Sequence, residues 1–381
     1  MERSCNSQFT TKASNYRFGV FFPSLSFRHI FLVTPLRPLM YNVAALLEEL
    51  SSVIGQHNPY RRVVVQFPDG LLGRVSSVVC DYLTSHGFDV AIAGDPSYGA
   101  CDLPVHQASL FQADAIFHFG HSSFAFPPPK EGPPVHYFIV EAETTIRWDL
   151  ISDEFKKMGW RTVGLVTTIQ HTQIIAKARE ELVQGDVHVQ LFEEGQILGC
   201  NQLRARKVAH EADGILVIAG GNFHASPIVV ATGRPTLRYD PFNNSFLLFG
   251  EEYRLNYLKQ RYAMIVKARS AMRWGVLISV KSGQIPRDLG QYTVDLLRKA
   301  GKTAFPVMMY RVDANHLANY GDIDAWVINL CPRIATDDSG SFNKPILTTR
   351  ELMVALGVLS WESFTTPSVD DHLLIFEEKN S

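Results

Sequence analysis

Three stretches of the chain share one pattern of apolar and polar positions. Each opens with a short aliphatic run led by a basic residue, at 61–67, 161–167 and 273–279, which predicts a buried parallel strand. A polar turn and a helical pattern follow every run. Each helical pattern stops at a glycine, the favoured residue where the backbone turns left-handed: Gly87, Gly185 and Gly301.

The second half of each stretch adds further strands. A second strand is predicted near 90–93, 187–192 and 303–307, and a loop and a helix follow it. A third strand begins at Asp114, Asp213 or Asp324, and a short fourth strand lies near 135–140, 236–239 and 346–348. Strands that alternate with helices at this spacing form right-handed parallel units. The predicted fold class is α/β, with three similar domains, each a small four-stranded parallel sheet flanked by helices, around a pseudo-threefold centre.

The joints between the stretches fall near residues 150 and 260. The predicted domains are therefore 40–150, 151–260 and 261–381. Residues 1–39 lack the pattern, since Pro23, Arg28 and His29 interrupt their apolar stretch and make it too broken for a membrane span. No small-residue cleavage site follows it. We expect 1–39 to be a weakly ordered extension, with a targeting arm as the alternative.

Composition and charge exclude several classes of protein. The 381 residues are 46% hydrophobic and 19% charged, as in globular proteins. The net charge is −2, so the field of the whole molecule would not attract nucleic acid or an anionic membrane. Five widely spread cysteines do not form a dense disulfide framework, which indicates a reducing, cytoplasmic location.

Three of the five cysteines occupy corresponding loops. Cys101 and Cys200 each lie thirteen residues before the acidic residue that opens a third strand, and Cys331 follows the last third strand. Open parallel sheets bind ligands at the carboxyl ends of their strands, where these loops lie. Any one cysteine alone is best explained as a buried small side chain, but three matched positions favour a shared centre. Cys80, within a predicted helix, and Cys5, in the extension, are expected to be dispensable.

Three thiolates without a fourth ligand predict a metal centre with one open coordination position. An all-thiolate set suits zinc or iron–sulfur, and structural zinc normally takes four protein ligands. A 4Fe-4S cluster held by three cysteines leaves one iron free for a substrate. The residues therefore favour an open iron–sulfur cluster over a three-cysteine catalytic zinc, and they leave both possible.

Eight short segments at predicted strand ends carry a family resemblance. In this order they resemble the diphthamide synthase family, archaeal Dph2-type 2-(3-amino-3-carboxypropyl)histidine synthase, over about residues 43–360. Single segments are weakly specific, and the specificity lies in their order. The segments are Gln66–Leu71, Asp95–Asp102, His118–Ser122, Gly195–Cys200, Gly221–His224, Tyr239–Pro241, Lys281–Gln284 and Cys331–Arg333.

The resemblance implies an enzyme of the first step of diphthamide biosynthesis. Such a transferase moves the 3-amino-3-carboxypropyl group of S-adenosylmethionine to the imidazole carbon of a histidine in translation elongation factor 2. It implies a radical mechanism, an external electron donor, a homodimer, and a 4Fe-4S cluster on Cys101, Cys200 and Cys331. No residue is assigned a catalytic role. Candidates for binding S-adenosylmethionine, each with a capping or sheet-end hydrogen bond as the alternative, are His118, His121, Gly220, Gly221, His224, Lys281 and Gln284.

Two other functions are compatible with three cysteines in three repeats. Quinolinate synthase also has three similar α/β domains and a three-cysteine 4Fe-4S cluster, but the contexts Tyr98–Asp102 and Cys331–Arg333 argue against it. A non-catalytic partner subunit could carry a cluster for another chain. The presence of all three cysteines in one chain favours a self-sufficient enzyme.

Overall fold

The strands of the computed structural model form three separate sheets. The structure describes residues 41–55, 59–73, 75–123, 132–183, 187–284 and 287–366. The predicted extension 1–39 with Cys5, and the helix stop at Gly185, lie outside these ranges. Gly87 and Gly301 follow their helices with φ of 83° and 73°, so both predicted stops are confirmed.

The first and third sheets have the same strand order and are parallel throughout. The first has the order β2-β1-β3-β4 and the third β11-β10-β12-β13. Their strands are β1 Arg62–Gln66, β2 Asp89–Ile92, β3 Ala115–Phe119, β4 Val135–Phe138, β10 Arg273–Ser279, β11 Thr303–Met309, β12 Ala325–Asn329 and β13 Ile346–Thr348.

The middle sheet repeats that order and adds one strand. Its order is β6-β5-β7-β8-β9, and β9 runs antiparallel to β8. A tight turn joins β8 directly to β9. In this turn Asp240 and Asn243 accept backbone N–H groups, and Asn244 has φ 55°. The α/β class with three four-stranded parallel sheets is confirmed, whereas this fifth strand was not predicted. The strands are β5 Thr162–Thr167, β6 His188–Gln190, β7 Gly214–Ile218, β8 Thr236–Asp240 and β9 Ser245–Phe249.

Helices connect and cover the strands. No helix within the described ranges is both long and apolar enough to cross a membrane. Short 3₁₀ segments occur at 169–174 and 339–341. The α-helices are α1 Val43–Ile54, α2 Asp69–Leu72, α3 Ser76–Ser85, α4 Val105–Phe111, α5 Trp148–Met158, α6 Ile175–Val183, α7 Leu203–Val208, α8 Ser226–Thr232, α9 Glu251–Arg269, α10 Arg287–Lys299, α11 Ala314–Ala318, α12 Arg333–Thr336, α13 Thr349–Ala355 and α14 Trp361–Thr365.

The acidic residue before each third strand has the same contact in all three sheets. Asp114 Oδ2 accepts the backbone N–H groups of Arg61 and Arg62, at 2.8 Å each. Asp213 and Asp324 accept the corresponding pairs at 2.7–2.9 Å. These backbone hydrogen bonds hold the pKa of all three carboxyl groups below its usual value. The repeated acid therefore joins the beginnings of the first and third strands.

Each sheet has its own buried core. In the first, Phe119 stacks between Phe67 and Phe138, with ring centroids 4.6 and 4.9 Å apart. In the third, Trp326 lies beside Gly275, where an added Cβ would stand 2.1 Å from the indole ring.

The strands of the three sheets fall within the predicted domains 40–150, 151–260 and 261–381 respectively. The boundaries of these domains stay a prediction.

Candidate functional site

The three repeat-matched cysteines lie in loops at one edge of the assembled sheets. Cys101 follows β2, Cys200 sits in a turn between bridged residues before α7, and Cys331 lies between β12 and α12. Cys200 packs against the buried cluster that contains Cys101. Burial, and then the charges of Cys331 and Cys101, raise the pKa of the Cys200 thiol. The structure therefore brings the three predicted ligands together.

Contacts across this edge join every pair of repeats. Gln170 Nε2 donates to the Gly120 carbonyl oxygen at 2.8 Å, which joins the first repeat to the second. The Arg333 guanidinium of the third repeat lies 4.8 Å from the centroid of the Phe223 ring in the second. The third and first repeats meet where Gly283 N–H donates to the Cys101 carbonyl oxygen at 3.0 Å. The cysteine loops thus lie at a three-way junction.

The thiols are buried donors of the kind that a metal centre requires. Burial raises the pKa of Cys101 to about 12, and it also raises the pKa of Cys331. Without a metal, these raised pKa values keep the thiols protonated. A coordinated metal reverses this preference, because a thiol bound to it is deprotonated. Three soft sulfur donors at one junction therefore fit an iron–sulfur cluster.

Ligands of a cluster need not converge on one point. Among the described residues, no group of three or more histidine, cysteine or acidic side chains is placed to hold a single metal ion. In a 4Fe-4S cluster each cysteine binds a different iron, so the sulfurs stand apart from one another. The lack of a single-ion site among the described residues is therefore compatible with a cluster held by the three cysteines.

The turn Lys281–Gln284 of the third repeat docks directly on the Cys101 loop. Gln284 Nε2 donates to Cys101 Sγ at 3.1 Å, and the Ser282 hydroxyl accepts the Leu103 N–H at 3.2 Å. An added Cβ on Gly283 would lie 2.6 Å from the Cys101 Cα atom. Only glycine allows the two backbones to approach this closely.

A buried ion pair fixes the same contact. The Lys281 ammonium binds Asp102 Oδ2, and these side chains are only 7% and 1% exposed. The ammonium also lies 4.7 Å from the Tyr98 ring centroid and 4.5 Å from that of Tyr310. Lys281 and Gln284, two of the predicted S-adenosylmethionine ligands, thus have strand-end partners within the chain. Their binding of the cofactor stays a prediction.

A chain of hydrogen bonds fixes the protonation of two predicted histidines. Gln66 Nε2 donates to the Asp102 carbonyl oxygen at 2.8 Å, which leaves Oε1 to accept from His118 Nδ1 at 2.7 Å. His118 Nε2 is then an acceptor for His121 Nδ1–H, at 2.9 Å. Burial lowers the pKa of His118, and lowers that of His121 to about 4. His121 is therefore neutral near pH 7, with a bare Nε2.

His224 belongs to the same junction. Its Nδ1 is buried and has no hydrogen-bond partner within the part of the chain that the structure describes. Burial, followed by His121 and the positive charge of Arg333, lowers the pKa of His224 to about 4. Loops of three repeats thus place His121, His224 and Arg333 near one another.

Gly220 and Gly221 complete the set of seven predicted S-adenosylmethionine ligands. Gly220 and Gly221 are exposed at the carboxyl end of β7, and Gly221 has φ 82° with open space around its Cβ position. Cys80 lies on α3 and packs against the core of the first sheet. The structure therefore places all seven predicted binding residues at strand ends and leaves Cys80 in a packing position.

Sequence reasoning missed a cavity beside Cys200. The cavity has a volume of about 210 Å³ and lies between the second and third repeats. Its walls include Phe223, Arg333, and Tyr253 and Tyr257 from α9. The pattern of α9 predicts only a helix, and nothing in it shows which side faces a cysteine loop.

Known proteins match this chain in sequence. Residues 67–365 match the family model described as "Putative diphthamide synthesis protein". The chain is similar to the 2-(3-amino-3-carboxypropyl)histidine synthase of Pyrococcus horikoshii, with 32% identity over 308 residues, 78% of this chain and 86% of that protein. It is also similar to subunit 1 of the 2-(3-amino-3-carboxypropyl)histidine synthase of Gallus gallus, with 29% identity over 79% of this chain and 74% of that one.

A solved structure matches the fold. The crystal structure of Dph2 from Pyrococcus horikoshii with 4Fe-4S cluster superimposes with a TM-score of 0.73 at 29% identity. The match covers 86% of this chain and 95% of that one. The chain belongs to the diphthamide synthesis family.

Proposed function

We propose that this protein catalyses the first step of diphthamide biosynthesis. It transfers the 3-amino-3-carboxypropyl group of S-adenosylmethionine to the imidazole carbon of a histidine in translation elongation factor 2. The observation that carries the proposal is the meeting of Cys101, Cys200 and Cys331 at the junction of three repeats. Relatives named for this activity support the choice of reaction.

Cys101, Cys200 and Cys331 would hold a 4Fe-4S cluster. When bound, the cluster supplies an open iron position for S-adenosylmethionine and the reducing electron of a radical mechanism. An external donor supplies that electron. The net reaction consumes no electron. One carbon–sulfur bond of the sulfonium and one carbon–hydrogen bond of the imidazole break, one carbon–carbon bond forms, and methylthioadenosine and one proton leave.

The chain's own residues orient the reactants and exclude water. The buried turn Lys281–Gln284 closes one side of the Cys101 loop. Of the seven predicted S-adenosylmethionine ligands, His121 and His224 have the strongest support, because each keeps a ring nitrogen free of partners among the described residues. Both histidines are neutral near pH 7, so they can accept hydrogen bonds from the amino group of the bound methionine moiety.

The decisive test uses anaerobic, iron- and sulfide-reconstituted protein. With dithionite, S-adenosylmethionine and purified elongation factor 2, we expect methylthioadenosine and one aminocarboxypropyl group on a single histidine of the factor. Quinolinate synthase chemistry would not consume S-adenosylmethionine. A non-catalytic partner subunit would carry a cluster yet form no methylthioadenosine alone. Failure of the reduced, cluster-loaded protein to form methylthioadenosine would refute the proposal.

The protein substrate indicates the compartment of the enzyme. Elongation factor 2 is a cytoplasmic protein, and we assign this enzyme to the same compartment. A homodimer contact on β9 and α9 would cover apolar side chains that are exposed in the single chain. These side chains are Leu247, Leu248, Leu255, Tyr262 and Val266.

Three segments around the junction would form the mouth that admits the target histidine. They are Phe119–Ser123, Gly221–Ala225 and Arg333–Phe342, the last of which contains the short helix α12. The Arg333 side chain is 46% exposed and lies over the Phe223 ring. We expect Arg333→Glu to reduce modification of elongation factor 2 at least tenfold, and to reduce uncoupled cleavage of S-adenosylmethionine much less, because the exposed charge meets the protein substrate.

Lys299→Glu is the matched control for this charge reversal. Lys299 ends α10 and is exposed, at the edge opposite the carboxyl ends of the strands. The Lys299→Glu substitution should leave both modification of elongation factor 2 and uncoupled cleavage of S-adenosylmethionine unchanged. If Arg333→Glu lowers both reactions equally, Arg333 acts on the cofactor and this docking role is wrong.

A further inference from the structure

One side-chain amide touches the sulfur of a predicted cluster ligand. Gln284 Nε2 lies 3.1 Å from Cys101 Sγ, and the Gln284 side chain is almost fully buried. Within the described residues, it is the only side-chain N–H group that donates to any of the three cysteine sulfurs. The contact crosses from the third repeat to the first, so it exists only in the assembled junction.

The turn that carries the amide is held on the Cys101 loop. The Gln284 backbone N–H donates to the Lys281 carbonyl oxygen at 3.1 Å, which closes the turn. The ion pair of Lys281 with Asp102 and the close approach of Gly283 hold this turn on the Cys101 loop. The orientation of the amide is also determined, because a thiolate accepts hydrogen bonds, and the amide oxygen in place of the NH₂ group would repel it.

A donor at this position acts on the charge of the sulfur. A hydrogen bond strengthens as its acceptor becomes more negative. Reduction of a cysteine-bound cluster adds negative charge that its sulfurs share, so an N–H donor stabilises the reduced form more than the oxidised form. Hydrogen bonds to the sulfurs are among the factors that set iron–sulfur potentials.

We propose that Gln284 is a positioning residue that raises the reduction potential of the cluster through its hydrogen bond to the Cys101 sulfur. The proposal rests on the proposed function, since it needs a cluster on Cys101. It assigns Gln284 a role different from binding S-adenosylmethionine. A less negative potential makes reduction of the cluster more favourable, so the reducing electron is easier to supply.

The test is a redox titration of reconstituted protein, followed by electron paramagnetic resonance in the absence of S-adenosylmethionine. Gln284→Leu keeps a buried side chain of similar size and removes the N–H group. We expect unchanged iron content and a midpoint potential more negative than that of the wild type. Ser282→Ala is the matched control, because it removes a contact of the same turn with Leu103 and leaves the sulfur untouched; its potential should equal that of the wild type.

A second measurement uses the wild-type protein and needs no variant. With ¹⁵N-labelled glutamine side chains, pulsed resonance spectra of the reduced cluster should show coupling to one glutamine nitrogen. An unchanged potential in Gln284→Leu, equal shifts in both variants, or the absence of this coupling would overturn the inference. If the wild type assembles no cluster at all, the proposed function fails as well, which distinguishes the two failures.

Discussion

Cys200→Ala is expected to abolish the intact cluster and all formation of methylthioadenosine. Cys200 packs against the Cys101 cluster of residues and lies within electrostatic reach of Cys331, so two sulfurs alone would remain at the junction. A 4Fe-4S cluster that lacks one of three cysteines and already has an open iron is not held. Iron and sulfide content, visible absorption and product formation measure the loss.

Cys80→Ala is the control for the first prediction. Cys80 is a cysteine of the same chain that packs against the first core from α3, and its removal should leave iron content and activity unchanged. Full cluster occupancy and turnover in Cys200→Ala would contradict the three-cysteine site.

The Cys200→Ala protein should lose activity without unfolding. Each sheet has its own buried core, as the stacked Phe67 and Phe119 and the buried Trp274 and Trp326 illustrate. In zinc fingers, by contrast, metal binding supplies the folding free energy. Far-ultraviolet circular dichroism should therefore keep the wild-type spectrum, and a coil-like spectrum would show that the cluster holds the fold together.

The strands could be predicted because their buried runs are continuous. The predicted strands at 273–279 and 346–348 coincide with β10 and β13. The strand β9 was missed because Leu247 and Leu248, successive residues that point to opposite faces of the sheet, are both apolar and exposed, which hides the alternation of an edge strand. A local pattern records burial and not the direction in which a strand pairs.

The candidate site was only partly predictable. Matched positions in the repeat indicated that Cys101, Cys200 and Cys331 lie together, because equivalent loops of similar units occupy equivalent edges. The partners of Lys281 and Gln284 could not be predicted, since they lie 179 and 183 residues away in another repeat. Side chains at strand ends contact whichever loop the neighbouring repeat presents, and no local pattern records that choice.

A buried ion pair of the third repeat should control stability. Arg261 of α9 makes a two-fold contact with Glu351 of α13, at 2.6 Å and 2.7 Å, and both side chains are only 2% exposed. The guanidinium also donates to the carbonyl oxygens of Ala335 and Ile346. The two helices border the cavity beside Cys200, so this pair fixes one of its walls.

Arg261→Met should lower the free energy of unfolding by about 3–5 kcal/mol, because the Glu351 carboxylate and two carbonyl oxygens stay buried without their cation. Urea unfolding followed by circular dichroism measures the change. Lys157→Met is the matched control: Lys157 pairs with Glu154 at 2.6 Å on the surface, and its loss should cost no more than about 1 kcal/mol.

A double variant separates the buried charge from the loss of packing. In Arg261→Met with Glu351→Leu no carboxylate is left unpaired, so part of the lost stability should return. The return cannot be complete, because Glu351 also accepts the Thr348 N–H at 2.8 Å in the capping box of α13, a contact whose loss costs about 1 kcal/mol. A double variant less stable than Arg261→Met would show that the Glu351 carboxylate stabilises the fold chiefly through the cap. In that case the ion pair would not be the main contact between α9 and α13.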